Sequence, residues 1–189
     1  MLIDMEVKKK KIDGLLEITL RTYEDERGFS ARIYDEREFV KLGFPTKWTE
    51  MTHQHSNKKN IVRGLYVQPP PYSEGKLLRA IKGELLWVSV DVRKGSNTFG
   101  QWDSTVLSGA RRNMLLSARG FAHGCVSLTD DADLLIMSDS YFAEEHGVGI
   151  MWNDKDLNID WNLNGSIPFV SERHKEYPSF REFKDKYGT

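Results

Sequence analysis

The chain has 189 residues, a formal net charge of −1 and one cysteine. A domain of this length buries most of the surface its unfolded form exposes and needs no disulfide or structural metal; Cys125, in an apolar run and without an internal partner, reads as a packed thiol. Interspersed charges of both signs exclude a general nucleic-acid or membrane-surface binder, no apolar run reaches the ~20 residues of a membrane span, and no charged-then-apolar leader opens the chain, so a soluble cytoplasmic protein is expected.

Residues 1–13 are polar and are expected to be partly loose, with Lys8 to Lys11 as a solvated strand edge. Strands are predicted over Gly14–Leu20 and Phe29–Tyr34, separated by a turn at Asp25-Glu-Arg-Gly28. Asp35 is an N-cap and Gly43 a stop for one short helix. From Trp48 to Asp139 the pattern supplies about seven strands: 48–55, 61–68, 76–82, 84–92, 101–107, 112–127 with a break near Gly120, and 132–139. Dense turn punctuation and no long helical period indicate an antiparallel sandwich or barrel, with a jelly roll as its closed form. A terminal helix is expected from Ser179, with Phe180 and Phe183 on its inner face. No linker or repeat divides the chain, so residues 1–189 are read as one domain.

The chemistry concentrates in Ile61-Val-Arg-Gly-Leu-Tyr-Val-Gln68 and the proline loop leading to Gly75-Lys76. Arg63, with one or both of Tyr66 and Gln68, can face a pocket from one strand interrupted at Gly64. His53-Gln-His55 places two imidazoles on one strand face, the beginning of a metal site. Residues 56–60 supply no carboxylate and Lys58 and Lys59 oppose a dication, so no metal is expected, and those histidines are read as lining the pocket or contacting a nucleotide.

Several blocks in order, Asp25-Glu-Arg-Gly-Phe29, Val62-Arg-Gly-Leu65 with Gln68, Gly75-Lys-Leu77, Val90 to Trp102, Arg119-Gly-Phe-Ala-His-Gly124 and Trp152 to Trp161, resemble the dTDP-4-dehydrorhamnose 3,5-epimerase family over nearly the whole length. The resemblance implies an all-β, cupin-like jelly-roll barrel with short peripheral helices. It also implies a homodimer through N-terminal strands, a nucleotide-sugar substrate, and neither metal nor organic cofactor. A C4 ketone acidifies the hydrogens at C3 and C5, so the reaction needs a base, a proton donor on the other face, and a cation or hydrogen bond at the enolate oxygen.

Lys76, Arg63, Gln68, His123 and Arg27 stand where the resemblance places enolate, substrate and phosphate contacts. Three positions depart from it. Tyr66 replaces the base histidine, His174 the orienting aspartate, and Phe142 the tyrosine acid, unless the neighbouring Tyr141 fills that role. Tyr66 is a base only if Lys76 or Arg63 lowers a phenol pKa that is ordinarily near 10; otherwise it is a hydrogen-bonding wall. His123 is a core residue, an enolate ligand or a replacement proton carrier. Two functions follow: an epimerase of a nucleoside diphosphate 4-keto-6-deoxyhexose with an altered acid/base set, or a catalytically silent binding paralogue. Metal-dependent cupin chemistry is a third.

Overall fold

The computed structural model describes residues 5–43 and 47–188. Two antiparallel sheets face each other. One has the order β1 (Met5–Lys9), β2 (Leu15–Leu20), β10 (Asn113–Ser117), β7 (Lys76–Lys82), β12 (Ala132–Ser138), β5 (Glu50–Ser56). The other runs β13 (Val148–Gly149), β6 (Ile61–Val67), β11 (Phe121–Ser127), β8 (Glu84–Asp91), β9 (Trp102–Ser108), with β14 (Phe169–Val170) parallel to β6. Neighbouring strands in each sheet are mostly distant in sequence, as in a jelly roll.

Side-chain alternation sends Leu78 and Ala80 of β7, Leu85 and Trp87 of β8, Leu115 of β10 and Leu134 of β12 into the space between the sheets. Parts of both outer faces are covered as well. Val62, Leu65, Val88 and Val126 of the second sheet pack under Ile150, Leu157, Trp161, Phe180 and Phe183 from the C-terminal segment. Leu77, Met114 and Leu116 of the first sheet pack under Phe39 of α1 (Glu36–Lys41). Because β8 is covered on both faces, it reads as a near-continuous apolar run instead of an alternating one.

The predicted caps are present. Asp35 accepts from the Arg37 amide at the start of α1, and Ser179 and Glu182 form a capping box on α3 (Phe180–Tyr187). Two expectations change. The N-terminal segment is ordered as edge strand β1 from Met5, residues 1–4 lying outside the described residues, because β2 offers it a full register of partners. The expected strand at 29–34 is cut to β4 (Gly28–Ala31), which forms a separate hairpin with β3 (Thr22–Asp25), while Ile33 and Tyr34 turn onto the sheet surface. β13, β14 and α2 (Glu172–Lys175) lie in a region with no periodic pattern to announce them.

Candidate active site

Gly64 sets the site's geometry. Its φ of +98° and the approach of the neighbouring strand, 2.5 Å from an added Cβ to the His123 carbonyl oxygen, leave room for no side chain. The β6–β11 register shifts between His123 and Cys125, and this irregularity resets the alternation of β6. Arg63 and Tyr66, three apart, therefore face one cavity while Val62, Leu65 and Val67 pack in the core.

That cavity, of about 290 Å³, is walled by Arg63, Tyr66, Trp87, His123, Phe142 and His174, together with Gln54, Cys125, Arg173 and Tyr177. His123 stacks on Trp87, with centroids 5.3 Å apart at 16°. Its Nδ1 lies 3.4 Å from the Phe121 carbonyl oxygen, an arrangement that suits a proton on Nδ1 and leaves Nε2 as acceptor. Burial, with the charge of Lys76 adding to it, holds His123 well below the ordinary imidazole range. His174 is depressed in the same sense by burial and by Arg173 and Arg63; its Nδ1 is buried with no partner among the described residues. Both imidazoles are thus neutral at pH 7.

Tyr66 moves the other way. Burial, with Glu74 adding to it, pushes its phenol up to about 12, so it is a hydrogen-bond donor at neutral pH and not a base. A Cβ at Gly147 would sit 1.9 Å from the Tyr66 hydroxyl and one at Gly149 2.2 Å from the Tyr177 ring, so two glycines flanking Val148 let two phenols lie flat on this wall.

Lys76 is buried on the inner face of β7, its Nζ 2.7 Å from Glu74 Oε1 and 3.4 Å from Ser138 Oγ. It acts on His123 through its charge without forming the cavity wall. Phe142 is at the wall, 5.9 Å from the Tyr66 ring, whereas Tyr141 points to solvent; this settles which of the two neighbours faces the cavity.

Besides Lys76, four of the contacts expected from the sequence do not line the cavity within this chain. His53 and His55 face outward and share Asp133 Oδ1, each at 2.9 Å, because Gln54 between them takes the inward position of β5. Gln68 sits behind the wall: it donates to the Tyr72 and Tyr141 carbonyls, accepts from the Ala143 amide, and accepts at 3.4 Å from the Tyr66 hydroxyl, so it reaches the cavity only through Tyr66. Arg27 sits at the tip of the β3–β4 hairpin, paired with Asp25 and exposed. Gln54 was missed because the parity of β5 was read one residue out. Arg173 and Tyr177 were missed because their segment carries no motif or period. Among the described residues no group of three His, Cys, Asp or Glu is placed to hold a metal.

Two covered sheets enclosing a cavity with inward-facing polar groups define a cupin-like jelly roll built around a small-molecule site. The family model for dTDP-4-dehydrorhamnose 3,5-epimerase matches residues 9–182, and the chain belongs to that family. It is 35% identical to the dTDP-4-dehydrorhamnose 3,5-epimerase of Pseudomonas aeruginosa, over 94% of this chain and 97% of that protein. The crystal structure of a dTDP-6-deoxy-D-glucose-3,5-epimerase from Legionella pneumophila in complex with dTDP-4-keto-L-rhamnose superposes with a TM-score of 0.91 at 31% identity, covering 97% of each chain. A 3'-monoepimerase from Streptomyces bikiniensis, in complex with dTDP-quinovose, gives a TM-score of 0.88 at 26% identity over 95% of this chain and 91% of that one.

Proposed function

We propose that this chain, as a single domain, epimerises a dTDP-type nucleoside diphosphate 4-keto-6-deoxyhexose in deoxysugar biosynthesis, and that it inverts one carbon. The observation that carries the reading is His123, a neutral imidazole with its Nε2 uncommitted among the described residues, in the same cavity as two phenols and beside the Lys76 charge. His123 takes the proton from C3 or C5, the electron pair moves to the C4 oxygen under the Lys76 field, and a Tyr66 or Tyr177 phenol returns a proton to the opposite face of the carbon. Arg63 and Arg173 supply cations for the diphosphate. Among the described residues no carboxylate backs either imidazole, so the base is weaker than a carboxylate-supported histidine, and the relatives include an enzyme that inverts a single carbon.

One observation favours the silent-paralogue reading: Phe142, at the cavity wall, has no proton to give. The two are separated by incubating the protein with a dTDP-4-keto-6-deoxyhexose in D₂O and following deuterium by mass spectrometry. One deuteron per sugar is expected; none with any of several such sugars excludes catalysis.

The assembly reading is a homodimer in cytoplasm. Its support is the open edge of β1 and, on the outer face of the first sheet, Arg79, whose Nε and Nη1 are buried without a partner among the described residues beside Leu77, Leu135 and Met137. An unpaired buried guanidinium is costly, and a carboxylate from a second copy would satisfy it. Sedimentation equilibrium is expected to show a dimer that Arg79→Met weakens; a monomeric wild-type protein contradicts this. Among the described residues no helix is long and apolar enough to cross a membrane.

A further inference from the structure

A second cavity, of about 580 Å³ and so larger than the first, opens behind the proline loop and is separate from the reaction centre. Four cations line it, Arg93, Lys94, Arg119 and Lys186, and among the described residues no carboxylate side chain does. In a chain with net charge −1 and acids interspersed with bases, such a one-signed lining is a local excess.

Two of the cations are fixed. Arg93 is forked onto Asp91, which is fully buried, and packs over the Phe121 ring, while Arg119 donates from Nε to the Asp139 carboxylate and from Nη2 to the Asp139 backbone carbonyl. The carboxylates that hold them are buried, at 0% and 1% exposure, so an incoming anion meets guanidinium and not carboxylate. Holding those groups in place beforehand removes part of the ordering cost of binding. Lys94 and Lys186 are exposed and have no acidic partner among the described residues, Lys186 lying 5.3 Å from the Tyr187 ring. Pro69, Pro70 and Tyr187 give the same cavity an apolar side.

We propose that this cavity is a second binding site, for a small molecule carrying two or more clustered phosphates, with Lys94 and Lys186 as its movable phosphate contacts and the Pro69–Tyr187 side receiving the rest of the molecule. Gln68 spans the two cavities: it lines this one and holds the loop that carries Phe142 to the other.

Calorimetric titration with inorganic pyrophosphate, and separately with dTDP, tests this on the full-length chain. Two sites per chain are expected. One is weakened about tenfold or more in Lys94→Ala/Lys186→Ala, the loss of two charge-assisted contacts, and weakens further with ionic strength. The other is weakened in Arg63→Ala. A single pyrophosphate site abolished by Arg63→Ala, or two sites both indifferent to the lysine pair, overturns the proposal. The Arg63-sensitive site rests on the proposed function and the lysine-sensitive site does not, because the lysines line this cavity and not the sugar cavity: a lysine-sensitive site without an Arg63-sensitive one upholds this proposal and counts against that reading, and the converse result does the reverse.

Discussion

Lys76→Met is expected to slow solvent-deuterium incorporation by about 10²–10³-fold, the cost of removing one group that stabilises a developing oxyanion. The same change should also destabilise the fold by about 3–5 kcal/mol, because it leaves Glu74, 8% exposed and 2.7 Å from the missing ammonium, as an uncompensated buried carboxylate. Glu74→Gln/Lys76→Met separates the two effects. It removes both charges, so the melting temperature should return most of the way toward wild type while exchange stays slow. Recovery of exchange in the double variant would show that the ammonium serves only to neutralise Glu74 and has no part in the reaction. An ion pair with Glu74 and a hydrogen bond donated to Ser138 Oγ hold Nζ in one place before any sugar arrives.

The barrel was legible because its strands obey local rules. Turn residues at Lys82-Gly83, Ser108-Gly109 and Asp130-Asp131 separate apolar runs whose parity a covered sheet enforces, and strands β6 to β12 fall within a residue or two of the boundaries read from them, once the 112–127 run is split at its break. The site was legible where a motif fixes register, as at Arg63, Gly64 and Tyr66. Legibility failed on β5, where no rule distinguishes the face carrying His53 and His55 from the face carrying Gln54; the choice is made by β12, whose Leu134 and Ala132 lie opposite Gln54 and Ser56. It failed at Lys76 in a different way. Its inward direction follows from the alternation of β7, but its ion pair with Glu74 depends on how the proline loop folds back. The pKa of Tyr66 was open for the same reason: Lys76 and Arg63 were available to lower it, yet burial and the carboxylate that pairs with Lys76 raise it.

His123→Asn should lower the exchange rate by about 10²–10⁴-fold, the usual contribution of a positioned general base, while Tyr66→Phe should cost less because Tyr177 remains as a second phenol in the cavity. The pH profile carries more information than either number. A base must be unprotonated to work, and the His123 pKa lies well below 6.5, so the acidic limb of the rate profile should fall below 6.5 and activity should be flat through neutrality. A phenol must be protonated to donate, and Tyr66 holds its proton to about 12, so any basic limb due to it should lie above 10 and vanish in Tyr66→Phe. Stability follows the same groups. Below 6.5 the unfolded chain takes up protons on its histidines more readily than the folded chain does at His123 and at half-buried His174, so the unfolded state binds more protons and stability falls as pH drops. Above 10 the unfolded chain releases the Tyr66 proton that the folded chain keeps, so stability falls as pH rises. Undiminished exchange in His123→Asn would assign the abstraction to another group, with His174 next in line as the other neutral imidazole on the cavity wall, whereas an acidic limb displaced above 6.5 in wild type would exclude both imidazoles, since His174 is lowered as well.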